Sequence, residues 1–351
     1  MNKLIILNTS QFGTLTDSYK LCQYLKDFYD ITFICFDNKL KKMDFDGINY
    51  KYVHRFDNAI LRGLWYIIYS TIFCFKHKAP VFIVYFEHCD ILPRLLPWRK
   101  FHVDIRTLAV SNKPEYNRIK DGKLKRSLKY FNSISYISNG VKNKVNIHST
   151  NQYILPLGAD SLCFDQKKWR TLKLLYVGTL THRDIIKTVE GVKLYIEQTG
   201  NNDITYDIIG EGDDYRLIAD FIENNCLGNK VHLYGRIAYD ELKPFFEKNN
   251  IGISFIPLKE CYQDQPSTKI FEYVLSGLYC IATSTRANED VITPQNGILI
   301  SDSSITFCEA LKKLETQRYT LQSDSIRNTL MEHYSWKAIV NKNIIPIINN
   351  L

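Results

Sequence analysis

Along almost its whole length the chain alternates short apolar runs with stretches of helical periodicity, and few architectures accept such a pattern. The runs at Lys3 to Leu7, Ile31 to Phe36, Val81 to Tyr85, Phe101 to Ile105 and Ser133 to Ile137 read as strands. The pattern pauses at Ile154-Leu-Pro-Leu-Gly-Ala-Asp160. It then restarts with Lys173 to Val177, Tyr206 to Ile209, Val231 to Tyr234, Ile251 to Phe255, Tyr279 to Ala282 and Gly297 to Ile300. Continuous apolar strands separated by helices belong to parallel sheets covered on both faces. The chain is therefore expected to form two doubly wound α/β domains in tandem, over 1–162 and 163–335, and its 351 residues suffice for two separate cores. Ligands of open parallel sheets bind beyond the carboxyl ends of the strands, which directs attention to the loops after Leu7, Val177, Ile209, Tyr234 and Phe255 and to the cleft that two such domains leave.

The segment Asp264-Gln-Pro-Ser-Thr-Lys-Ile-Phe-Glu272-Tyr-Val-Leu-Ser-Gly277 carries the most chemistry. Pro266 ends an upstream element, Ser267 or Thr268 caps, and Ile270, Phe271, Val274 and Leu275 recur at helical spacing until Gly277. The first amides of this helix, its positive dipole end and Lys269 suit a diphosphate. Asp264 and Glu272 can accept hydrogen bonds from sugar hydroxyls on either side of it. An ordinary capped helix with two solvated acids is the alternative. Three strand-end loops point the same way. Val177-Gly178-Thr-Leu-Thr-His-Arg183 brings a guanidinium close to a glycine, and Gly210-Glu-Gly212 and Gly235-Arg236-Ile237 let a flat ligand approach the backbone. Each is weak alone, since a glycine after a strand usually makes a turn.

Charge and cysteine usage narrow the setting. Residues 1–160 carry 24 Lys and Arg against 13 Asp and Glu, a net +11, while the remainder has 21 against 24, or −3. The basic half suits an anionic membrane surface or nucleic acid, with a solvated helix face as the alternative for its densest cluster, Arg118 to Lys129. Nine cysteines are scattered singly without a C-x-x-C pair, which argues for reduced thiols in the cytoplasm. The short run Met1 to Asn8 reads as a first buried strand and lacks the pattern of an export signal. Ala59 to Phe75, 17 residues interrupted by Arg62 and Gly63, reads first as a buried helix, then as a membrane-surface helix, and least well as a span. His88, His102 and His182 show no metal-ligand spacing. No Asp-x-Asp triplet suggests a divalent ion, so no metal cofactor is expected.

The series Tyr-Val-Gly178-Thr-Leu, Ile-Ile-Gly210-Glu-Gly, Leu-Tyr-Gly235-Arg-Ile, Gln265 to Gly277 and Asn296-Gly-Ile-Leu-Ile resembles, in order and spacing, the donor domain of retaining GT-B glycosyltransferases of family 4. Asp104-Ile-Arg-Thr107, Ile137-Ser-Asn-Gly140 and Leu155 to Asp160 extend the likeness more loosely, and Tyr334-Ser-Trp336 matches the point where, in that family, a final helix (here 336–351) crosses back to the first domain. The resemblance implies two Rossmann-like domains facing a cleft, with the acceptor taken by the first and the nucleotide-sugar donor by the second. It implies Glu272 at the ribose hydroxyls, Asp264 against the donor sugar, and the amides of Ser267, Thr268 and Lys269 at the diphosphate. Gly178 and Gly210 line the donor, Gly235, Arg236 and Ile237 the nucleobase edge, and Gly13 the donor phosphate. Thr179 stands where the family often has Arg, so Arg183 and then Lys187 take over the leaving phosphate, and Arg106 steadies acceptor or donor. The first acid is Asp where the family has Glu, a retreat of about 1.5 Å. The implied activity is metal-independent glycosyl transfer with retention, onto a lipid-linked or oligosaccharide acceptor of cell-surface polysaccharide, at the inner face of the cytoplasmic membrane. No nucleic-acid partner is implied. A GT-B sugar-nucleotide epimerase and a non-catalytic sugar-nucleotide or lipid-carrier binding protein are the alternatives.

Overall fold

The computed structural model describes residues 2–43, 45–111, 113–149 and 151–351; Met1, the start of the first apolar run, lies outside them. The chain divides into two compact units, one made of Met1–Leu157 with Trp336–Leu351, the other of Gly158–Ser335.

The first unit is built on seven strands: β1 (Asn2–Leu7), β2 (Tyr29–Asp37), β3 (Ile48–His54), β4 (Val81–Val84), β5 (Phe101–Ile105), β6 (Ser133–Tyr136) and β7 (Asn151–Ile154). They lie in the order β3-β2-β1-β4-β5-β6-β7 with every neighbouring pair parallel. The chain reverses its direction of growth between β1 and β4, the switch point at which such sheets open a crevice. Two strands, β3 and β7, were not expected. They are the two edge strands of the sheet, and their half-exposed residues form no continuous apolar run. One layer of the core is completed from the far end of the chain. Trp336, Ile339, Val340, Ile344 and Ile348 pack among Leu4, Ile6, Phe33 and Phe82, and the Tyr29 hydroxyl donates to Asn349 Oδ1 at 2.8 Å. That carboxyl-terminal run is helical in three pieces, with a π turn at Val340–Ile344 just before Pro346, whose missing N–H cannot continue an α-helical ladder.

The helix Ala59–Lys76 corrects the buried-helix reading. Only Tyr66, Ile67, Ser70 and Cys74 are buried, whereas Ile60 is 73% and Phe75 63% exposed. Apolar residues occupy both sides of this helix, so periodicity could not tell which side packs. By length and composition it is long and apolar enough to cross a membrane, and among the described residues it alone is.

The second unit repeats the plan with six strands: β8 (Leu172–Val177), β9 (Ile204–Ile209), β10 (Val231–Leu233), β11 (Ile251–Ser254), β12 (Tyr279–Thr283) and β13 (Gly297–Ile300). Their order is β10-β9-β8-β11-β12-β13, again all parallel, with the switch between β8 and β11. All six were legible as apolar runs because both faces of this sheet are covered.

Candidate functional site

The carboxyl edge of the second sheet gathers the glycine loops. Because β8, β9 and β10 are neighbours, Gly178 follows β8 beside Gly210 after β9, which lies beside Gly235 after β10. The Gly178 amide donates to the Ile209 carbonyl at 3.0 Å and the Gly210 amide to the Gly235 carbonyl at 2.8 Å. Gly210 is required by this closeness, since a Cβ there would overlap the Gly178 carbonyl oxygen. The three loops surround a cavity of about 310 Å³ lined by Val177, Gly178, Thr179, Ile209, Gly210, Glu211, Arg236 and Ile237. Four of the expected residues thus meet at one hollow, and among the described residues lining it the exposed Arg236 is the one cation.

Next to β11 begins the helix Thr268–Leu275. Ser267 occupies its N-cap position in extended conformation, and no side chain caps it. Its amino-terminal amides consequently keep their partial positive charge available at the carboxyl edge of the sheet. The other end closes on Gly277 at φ 77°: Leu278 N–H donates to the Tyr273 carbonyl at 3.0 Å and Gly277 N–H to Val274 at 2.9 Å, a Schellman motif. The Tyr273 hydroxyl accepts from the Val177 amide at 2.8 Å, tying the helix to the end of β8. Glu272 is only 3% exposed, and Lys269 Nζ donates to its Oε2 at 2.5 Å. The same ammonium lies 5.5 Å from the centre of the Tyr239 ring, whose hydroxyl burial and Glu272 push up. A buried carboxylate held by a neighbouring cation is ready to accept hydroxyl hydrogens.

Arg183 sits in the loop after β8 between two left-handed residues, His182 at φ 56° and Asp184 at φ 54°. Each such residue costs about 1–2 kcal/mol, and strain of this kind collects where a side chain must be aimed. The guanidinium stacks on Tyr262 at 4.6 Å, and its Nη1 is buried with no hydrogen-bond partner. Stranding a buried donor costs about 1–3 kcal/mol, so the position is primed for an acceptor, an anion above all. Lys187 behaves differently, since its Nζ is engaged by Asp184 at 3.1 Å.

Asp264 is 5% exposed and gripped by a residue that sequence reading did not single out. Arg286, which opens the short helix Arg286–Glu289 after β12, donates from Nε to Oδ1 at 2.8 Å and from Nη2 to Oδ2 at 2.8 Å, and reaches Glu260 with the same Nη2 at 2.8 Å. The two acids drive the guanidinium pKa further up, so the fork stays charged. The available signal was positional: β12 ends on the same edge as β8 and β11, and its loop belonged with those inspected. Tyr262, the platform for Arg183, lies in the loop after Phe255 that the strand pattern singles out, but nothing in the local sequence marks it.

Gly13 and Arg106 belong to the first unit. Gly13 lies in the loop after β1 at φ 88°. Arg106 donates to Asp17 Oδ2 at 2.9 Å and to the Leu155 carbonyl at 3.0 Å and pairs with Asp104 at 3.6 Å. Burial raises the Asp104 carboxyl to about 6, with Arg106 and Ser135 opposing. Behind it His102 is wholly buried between the Ser133 and Ser135 hydroxyls, each 2.8 Å away, and burial lowers its pKa to about 3, so the ring is neutral and structural. Among the described residues no group of three or more His, Cys, Asp or Glu is arranged to hold a metal ion.

Residues 171–317 match the family described as glycosyl transferases group 1. A comparison with curated proteins gives no match. Solved structures match along the full length. Sucrose-phosphate synthase from Thermosynechococcus elongatus has a TM-score of 0.77 at 12% identity, covering 100% of this chain and 99% of that one. The Anabaena protein HepE, in complex with UDP and glucose, has 0.75 at 11%, covering 100% of both chains. The lipopolysaccharide outer core galactosyltransferase WaaB in its apo form has 0.71 at 16%, covering 100% and 99%. At these identities the structural likeness is one of fold, while the match across the second unit speaks to the family. Sheet topology and full-length likeness converge on a GT-B fold, and the second unit, over residues 171–317, matches the glycosyl transferases group 1 family.

Proposed function

We propose that the protein transfers a glycosyl group from a nucleotide sugar, with retention at the anomeric carbon, to a lipid-linked or polysaccharide-precursor acceptor in cell-surface polysaccharide synthesis. The observation that carries this reading is the uncapped start of the helix Thr268–Leu275 on the same sheet edge as Arg183, whose buried Nη1 lacks a partner. The amides of Ser267, Thr268 and Lys269 hold the diphosphate, and Arg183, with Lys187 in a lesser part, meets the charge that grows on it as the glycosidic bond breaks. Such groups stabilise the transition state more than the ground state. Glu272 accepts from the ribose hydroxyls, Gly235, Arg236 and Ile237 border the base, and Gly178 and Gly210 let the donor lie against backbone. Asp264, oriented by Arg286, accepts from a hydroxyl of the donor sugar. Gly13 approaches the donor phosphate, and Arg106 steadies the donor or acceptor. The acceptor oxygen bonds to the anomeric carbon on the face that the phosphate leaves, and its proton passes to a phosphate oxygen. The UDP and glucose held by HepE and the lipopolysaccharide role of WaaB support the donor and acceptor classes. The exposed apolar helix Ala59–Lys76 and the +11 charge of residues 1–160 support work at the inner face of the cytoplasmic membrane.

Nuclear magnetic resonance of the product tests this reading. With an α-linked sugar nucleotide the new linkage is α; a β linkage overturns retention, and a new sugar nucleotide formed without transfer overturns the transferase itself. A finer expectation concerns Arg286. Its replacement by alanine unfastens Asp264 and lowers kcat/KM about tenfold, the scale of one charged hydrogen bond, and Arg286→Lys restores little because an ammonium cannot grip both carboxylate oxygens. Unchanged kinetics in Arg286→Ala remove Asp264 from the sugar subsite.

A further inference from the structure

A second cavity, in the first unit, is assigned nothing by the donor chemistry. It has about 440 Å³ and is lined by Thr9, Ser10, Phe36, Asn38, Arg55 and Arg62. Thr9 and Ser10 follow β1, Phe36 and Asn38 flank the end of β2, and Arg55 follows β3; these strands are adjacent, so the cavity lies at the carboxyl edge of the first sheet. Among the described residues two guanidinium groups line it and no carboxylate does. Arg62 Nη1 is fixed against the Phe56 and Asp57 carbonyls at 3.3 and 3.4 Å, which holds that side chain at the rim. Asn8 Oδ1 accepts from the Ser10 amide at 2.9 Å and so shapes the loop bearing Thr9 and Ser10. Asn38 Oδ1 is buried without a hydrogen-bond partner, an acceptor suited to a hydroxyl beside the anion.

The helix that contributes Arg62 to the cavity also carries an apolar track. Arg62 lies in the first turn of the helix Ala59–Lys76, and along that helix Leu61, Leu64, Trp65, Ile68, Ile72 and Phe75 are all exposed. Spaced three and four apart, they share one face, opposite the buried Tyr66, Ser70 and Cys74. The stripe is about 21 Å long at the helical rise. A basic, hydroxyl-rich hollow at the head of an unpartnered hydrocarbon-like stripe has the polarity of one molecule: a phosphate that carries a sugar on one side and a long hydrocarbon on the other.

We infer that this cavity and stripe together form the acceptor site for a glycosyl phospholipid. The phosphate lies between Arg55 and Arg62, a sugar hydroxyl meets Asn38, and the hydrocarbon runs along the helix. The inference rests on the reading of the acceptor as lipid-linked and adds where and by which groups it is held.

Calorimetric binding to the intact chain tests it with three probes: farnesyl phosphate, farnesol and inorganic phosphate. Farnesyl phosphate is expected to bind at least tenfold more tightly than either of the others. The double variant Arg55→Ala, Arg62→Ala weakens it about a hundredfold, and Leu64→Ser with Ile68→Ser weakens farnesyl phosphate but not inorganic phosphate. All four positions are exposed or half-buried, and retained circular dichroism verifies folding. Equal binding of farnesyl phosphate by the arginine variant, equal binding of farnesol, or inorganic phosphate competing as well as the lipid each overturns the assignment. A parallel melting measurement separates the two readings. If nucleoside diphosphates raise Tm and farnesyl phosphate does not bind, the acceptor site alone is wrong; if farnesyl phosphate binds as described and no nucleoside diphosphate raises Tm, the site stands and the transferase reading falls.

Discussion

Arg183→Ala is expected to lower kcat roughly a hundred- to a thousandfold, the range found when one preorganised donor to a developing oxyanion is removed. Affinity for the free nucleoside diphosphate changes far less, because the charge that Arg183 answers grows as the glycosidic bond breaks. The structural grounds are its two left-handed neighbours, its stacking on Tyr262 and the buried Nη1 that finds no partner among the described residues. Arg183→Lys recovers only part of the rate, since an ammonium neither stacks flat on Tyr262 nor presents a fork to phosphate. Steady-state transfer rates at saturating donor, together with calorimetric titration of the diphosphate, check both halves. A kcat within threefold of the wild type removes Arg183 from the chemistry.

Glu272→Gln is expected to act on the other kinetic parameter. A buried carboxylate that accepts from two ribose hydroxyls makes two charge-assisted hydrogen bonds, each worth about 1.5–3 kcal/mol, and amidation weakens both. The donor KM then rises about a hundredfold while kcat moves little, because the ribose is held equally in ground and transition states. The isosteric change preserves packing at a position 3% exposed. A deoxyribose donor supplies the control. It binds the wild type as poorly as the ordinary donor binds the variant, and the substitution affects it little. If the deoxy and ordinary donors suffer the same loss in the variant, Glu272 supports the helix through Lys269 and does not touch ribose.

Legibility in the sequence followed burial. The six strands of the second unit could be read from composition because helices cover both faces of that sheet. In the first unit β3 and β7 escaped because they sit at the two edges, where half their residues face water or polar neighbours. The helix Ala59–Lys76 could be recognised as a helix but not oriented, since its inward and outward faces are both apolar. The site divided along similar lines. Gly178, Gly210, Arg236 and Ile237 follow strands that lie side by side, so adjacency in the sheet converts scattered motifs into one hollow. Arg286 is 22 positions from Asp264, and only the pairing of β11 with β12 brings the two loops together. Arg62 was noted as an interruption of an apolar run, yet its place at the head of an exposed stripe depends on which face of the helix packs.

The carboxyl-terminal residues in the core of the first unit bear on how the polypeptide is made. During synthesis the seven-stranded sheet emerges before the second unit, but Leu4, Ile6, Phe33 and Phe82, already covered in part by Leu21, Cys22 and Leu25, lack the rest of their covering layer until translation has passed Ile348. The Gly158–Ser335 unit emerges between those two events and holds all its own strands. The sheet translated before the Gly158–Ser335 unit is thus finished after it, and one apolar face waits only partly covered while that unit is made, an interval in which holding chaperones act.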